Sequence, residues 1–179
     1  MVAFTYRMPA GFPGDVNRSH PASIEPALID AANPPALFGG LVFADQSGTN
    51  GVRQPVVGDA NATAIAGYGL LVREFPVQQT SAGGYVGTTG APGTPVPPPS
   101  LGPCSVLRSG YINCVLNGAA GVPTKGAPVY VWVAATTAGH AQGGLETQAS
   151  AGNTVLLDGK TSFNGPPDAF NTVEIAFNV

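Results

Sequence analysis

The residues able to do chemistry are few and scattered. His20 and His140 are the only histidines, and neither stands in an H-E-x-x-H or comparable ligand spacing. A lone histidine beside proline or glycine reads as a solvated loop residue, because metal sites need clustered ligands. The carboxylates come singly, at Asp15, Glu25, Asp30, Asp45, Asp59, Glu74, Glu146, Asp158, Asp168 and Glu174. No G-x-S-x-G elbow presents a serine nucleophile. The glycine-rich run from Gly83 to Gly90 lacks a phosphate-loop pattern and leads into prolines instead of a helix. Cys104 and Cys114 are too few for a zinc site and form no C-x-x-C pair. In a reducing compartment they read as small packed hydrophobes, with a disulfide formed after lysis open to them if they lie on neighbouring strands. The expectation is a protein without catalytic residues, metal or cofactor.

The elements that would carry these residues are short. Twenty-five glycines and 18 prolines in 179 residues leave few windows for a helix. One remains, over residues 22–32, where Ser23 would cap a turn holding Ile24, Glu25, Leu28 and Ile29, and Pro26 falls in the first turn. From residue 40 onward the pattern turns to strands, expected over 40–44, 64–73, 105–116, 128–135, 153–157 and 172–177, with Gly110 marking a bulge or bend. In the last of these Val173, Ile175 and Phe177 alternate with Glu174 and Ala176, as in a half-buried strand. Val129 to Val133 is apolar on both faces and reads as the centre of a sandwich, with Trp132 as a core anchor. The fold class is therefore all-β, as one domain: an irregular N-terminal arm over 1–38 and a β-rich part over 39–179. The Pro/Gly-rich loop over 80–100 interrupts the latter.

Composition narrows the function further. Only 9% of residues are charged against 44% hydrophobic, where an ordinary soluble domain has about 25% charged. A surface so poor in charge suits a protein packed against partners, although an uncharged polar surface would give the same count. The formal net charge is −3 with no run of Lys or Arg, which argues against nucleic acid as a partner. The opening residues show neither a basic nor a long apolar segment, so synthesis and retention in a cytoplasm are expected. The longest apolar run, 129–135, is too short to span a membrane.

Four stretches together resemble the structural cement (decoration) proteins of tailed-phage heads. They are Tyr6-Arg7-Met8-Pro9-Ala10-Gly11-Phe12-Pro13-Gly14-Asp15-Val16-Asn17-Arg18, then Gly69-Leu70-Leu71-Val72-Arg73-Glu74-Phe75-Pro76-Val77-Gln78. The third runs from Val106-Leu107-Arg108-Ser109-Gly110-Tyr111-Ile112 to Gly126-Ala127-Pro128-Val129-Tyr130-Val131, and the fourth is Val173-Glu174-Ile175-Ala176-Phe177-Asn178-Val179. The resemblance implies a small β-barrel or jelly-roll-like domain, made in the host cytoplasm, that docks on the outer surface of the virion capsid. There it would bridge subunits of the major capsid protein, and it would form homo-oligomers, dimers before trimers. Cementing requires no catalytic group.

Aromatic, Met and Arg side chains are enriched in interface cores, so the arm residues Phe4, Tyr6, Arg7, Met8, Phe12 and Arg18 are the candidate capsid-binding set. The competing expectation is that the arm folds back and buries them against its own domain. A second class of function is a carbohydrate- or receptor-binding β-sandwich module of a virion fibre, in which Tyr68, Tyr85, Tyr111 and Trp132 would stack on sugars around one groove. An unrecognised hydrolase, third, would need a concave pocket with a perturbed acid or base.

Overall fold

The computed structural model describes residues 12–18, 21–45, 51–56, 58–59, 67–73, 98–118, 120–157, 159–168 and 171–179. They hold ten strands and no α-helix: β1 Ser23–Ile29, β2 Leu41–Ala44, β3 Gly51–Arg53, β4 Gly67–Val72, β5 Gly102–Val115, β6 Tyr130–Trp132, β7 Leu145–Glu146, β8 Thr154–Leu156, β9 Ser162–Phe163 and β10 Thr172–Phe177. The order β1-β3-β2-β4-β5-β10-β9 makes the main sheet, and a further β1–β5 pairing closes its first five strands into a barrel. Strands β7-β6-β8 form a second, smaller sheet.

The closing strand is the stretch that sequence pattern assigned to a helix. As a helix, residues 22–32 would need a partner for Ile24, Leu28 and Ile29 together. As strand β1 they pair along the whole first half of β5, from Ser23↔Ser109 to Ile29↔Gly102, so the barrel loses an exposed sheet edge. Pro26 fits because of its parity. The Asp30 N–H donates to Val52 O at 2.9 Å, so even-numbered positions of β1 turn towards β3 and the donor that proline lacks is not one that β5 requires. The barrel thus begins at Ser23, inside the stretch 1–38 expected as an irregular arm.

Strand β5 does two jobs. Its first half lies between β4 and β1, and its second half pairs with β10 from Phe177↔Gly110 to Thr172↔Val115. The halves meet at Gly110, whose φ of 138° is closed to most L side chains and whose missing Cβ leaves room for Pro21 O. Next to it the register with β1 shifts, from Ile24↔Leu107 to Ser23↔Ser109, an irregularity of the bulge kind that the glycine foretold.

Alternation along the barrel strands feeds two separate cores. Ile29, Val42, Val52, Leu71, Cys104 and Val106, one set from all five strands, fill the barrel lumen. Leu41, Phe43, Leu70, Val72 and Leu107 face outward and pack with Val131 and Leu145 of the small sheet, with Val129 and Val133 that flank β6, and with Phe163, Val173, Ile175 and Phe177. Burial on both faces explains the unbroken Leu70-Leu71-Val72 run. The doubly covered strands are therefore β2, β4 and β5. Strand β6 is central in its own sheet, but only its valine side meets the core; the other carries half-buried Tyr130, and Trp132 under His140.

Both cysteines are buried thiols, and both lie on β5, one in each core. The condition for a disulfide, two neighbouring strands, is not met.

Candidate interaction surface

Residues 12–18 lie along the second half of β5. Gly14 N–H donates to Asn113 O at 2.7 Å, Asn113 N–H to Asp15 O at 3.0 Å, and Asn17 N–H to Tyr111 O at 3.2 Å. Side chains repeat the attachment. Asn17 and fully buried Asn113 bond each other twice, and Glu174 of β10 accepts from Asn17 at 3.2 Å, from Arg18 at 3.0 Å and from Asn164. Burial pushes the Glu174 carboxyl up, but the donors Asn164, Asn17 and Arg18 outweigh it and hold the group below the ordinary glutamate range.

Of the candidate capsid-binding residues, Phe4, Tyr6, Arg7 and Met8 lie outside the described residues. Arg18 is turned inward on one side: its guanidinium lies 4.0 Å over the Tyr111 ring and pairs with Glu174, while its side chain stays 48% exposed. Phe12 is 56% exposed. Arg73, not singled out from the sequence, supports it, with its guanidinium carbon 4.4 Å from the Phe12 ring centroid and its nitrogens on Asp15 at 2.8 and 3.0 Å. The signal for this arrangement was the Phe12-Pro13-Gly14-Asp15 turn signature.

A second apolar surface was hidden by the helix reading. On β1, Ile24, Pro26 and Leu28 share the outward face; Ile24 and Leu28 are 47% and 53% exposed. Exposed Pro103 pairs with Leu28, and Leu101, 70% exposed, immediately precedes β5.

Of the aromatics that would stack on sugar, the described ones are engaged. Arg108 lies 4.0 Å over Tyr68, whose hydroxyl donates to Glu25 at 2.8 Å, and Arg18 covers Tyr111. Trp132 is buried, stacked on His140 at 4.3 Å, and its indole N–H donates to Ala135 O at 3.1 Å. Tyr85 lies outside the described residues. His140 is correspondingly no solvated loop residue: its Nδ1 meets buried Glu146 at 2.7 Å, and Asn117 Nδ2 donates to the same oxygen at 2.7 Å. The ring is held by Trp132 on one side and a carboxylate at its edge, which spacing along the chain could not reveal.

Among the described residues no group of three or more His, Cys, Asp or Glu is placed to hold a metal ion. A closed β-barrel with a stapled arm, apolar surface rows and a sparse charge is the build of a structural protein that works through its surfaces. The chain belongs to the XM1 gp53 minor capsid protein family, whose sequence profile matches residues 1–177, and is thus a phage capsid-associated structural protein of the virion. Its fold is similar to a chain of the solved structure "The capsid of Myoviridae Phage XM1", with a TM-score of 0.65 and 16% identity over 98% of this chain and 95% of that one. No curated protein sequence matches the chain.

Proposed function

We propose that this minor capsid protein is a cement: it binds the outer surface of the head, bridges subunits of the major capsid protein and stabilises the shell, after synthesis in the host cytoplasm. The observation that carries the reading is the presence of exposed apolar groups on different elements, Phe12 in the arm, Ile24 and Leu28 on the barrel wall and Leu101 just before β5, in a family of capsid proteins. Bridging needs at least two contacts per copy. Once one contact forms, the second becomes intramolecular and proceeds at high effective concentration, so modest contacts add up to firm retention. Self-association, with dimers before trimers, would multiply the contacts again. The candidate set Phe4, Tyr6, Arg7, Met8, Phe12 and Arg18 belongs to the same proposal, with Arg18 also engaged by Glu174 and Tyr111 of its own domain.

The sugar-binding alternative loses support because Tyr68, Tyr111 and Trp132 each have a ring face taken by Arg108, Arg18 or His140. Co-sedimentation with undecorated heads tests the cement reading. The full chain should pellet with heads, and a chain lacking residues 1–11, which keeps the stapled 12–18 segment, should pellet less. A folded full chain that stays in the supernatant refutes it.

A further inference from the structure

Phe12 is not a loose side chain on a loose loop. Its carbonyl accepts from the Asp15 N–H at 3.0 Å and its own N–H donates to Asp15 Oδ2 at 3.0 Å, closing a turn at both ends. Pro13 fixes the first central position, and Gly14, with φ of 85°, supplies the left-handed second one. The turn is then tied down twice: Gly14 N–H to Asn113 O at 2.7 Å, and Arg73 N–H to Gly14 O at 2.9 Å. Beneath the ring the Arg73 guanidinium is itself held by Asp15. A Cβ on Gly14 would fall 2.8 Å from Arg73 N and from Phe38 Cβ, so the fit is close.

A single exposed phenyl ring is ordinary on a protein surface. A ring that is 56% exposed while its turn, backbone and supporting cation are all fixed is different, because little freedom remains to be lost when a partner closes on it. Aromatic side chains in that condition are the usual anchors of protein interfaces. Resting on the cement reading above, we infer that Phe12 is a preorganised anchor that inserts into an apolar, uncharged pocket on a capsid shell subunit. The charge next to the ring is already neutralised, since Asp15 pairs with Arg73. A charged pocket would therefore be buried without a counterpart, whereas aliphatic or aromatic walls complement the free ring face and edge.

The experiment is titration of undecorated heads with the intact chain and with Phe12→Ala and Asp15→Ala variants, alongside thermal melts and sedimentation velocity without heads. Phe12→Ala removes a ring that is more than half exposed and leaves the Arg73–Asp15 pair in place, so it should melt close to the parent, yet bind at least about thirtyfold more weakly, the loss typical of an anchor residue. Asp15→Ala keeps the ring but frees its turn and cation, and should weaken binding by about two- to tenfold. Binding by Phe12→Ala within twofold of the parent overturns the inference while leaving the cement reading intact. No binding by the intact chain defeats both. A change in the sedimentation coefficient of Phe12→Ala without heads would put the pocket on a second copy of this chain and so overturn its assignment to the shell.

Discussion

Asn17 and Asn113 exchange two side-chain amide hydrogen bonds, of 2.7 and 2.9 Å, across 96 residues of sequence. The pair joins the arm to the far half of β5 and sits beside Glu174, so arm, barrel strand and β10 are tied at one place. Replacing Asn17 by Ala takes both bonds from a fully buried carboxamide. That should cost about 1–3 kcal/mol, read as a lower midpoint in denaturant with an unchanged slope.

Acid should act at the same place. The Glu174 carboxyl is held below its ordinary value in the folded chain, so its contribution to stability is fully present above the unfolded value, near 4.3, and is lost as pH falls through the lower folded value. Thermal melts of the parent and Glu174→Gln should therefore differ most near neutral pH and converge below about pH 4. A gap that persists undiminished into strong acid would assign it to packing and not to the charge.

Leu70 and Leu71 point into different cores, one outside the barrel wall and one in the lumen. Truncating either to Ala should cost about 2–5 kcal/mol. Were β4 covered on one face only, one of the two substitutions would be nearly silent in equilibrium unfolding, so the pair of values tests the double-layer core directly.

Cys104 and Cys114 should remain thiols under air. Both are buried on the same strand, and burial pushes the Cys114 thiol far above its ordinary range, which suppresses the reactive thiolate. Ellman's reagent should label Cys114 only after unfolding, and mass spectrometry of the oxidised monomer should find no intrachain bridge.

Much of this was legible in the chain itself. Alternation in residues 172–177 fixed β10 to the residue, because one face of that strand meets the core and the pattern of period two survives. Gly110 announced the irregularity in β5, and the scarcity of charge together with the four family-like stretches pointed to a capsid protein before any fold was known. The Phe12-Pro13-Gly14-Asp15 turn was also readable, although its importance was not, since nothing local says that Arg73 comes to lie under the ring.

Tertiary structure decided the rest for reasons that lie outside any local window. Residues 23–29 carry a helix-compatible pattern, yet the unsatisfied edge of β5, nearly eighty residues further on, outweighs that weak preference and draws them into a strand. Short strands such as β3, β7 and β9 have too few residues to show a period and exist because a neighbour supplies their hydrogen bonds. The same is true of His140, read as solvated because it stands alone beside glycine, yet stacked on Trp132 and bonded to Glu146. Sequence determined the material of this protein: β-forming, low in charge and without catalytic residues set in a recognisable pattern. Only long-range pairing determined which strand closed the barrel, and with it which apolar side chains were left facing outward.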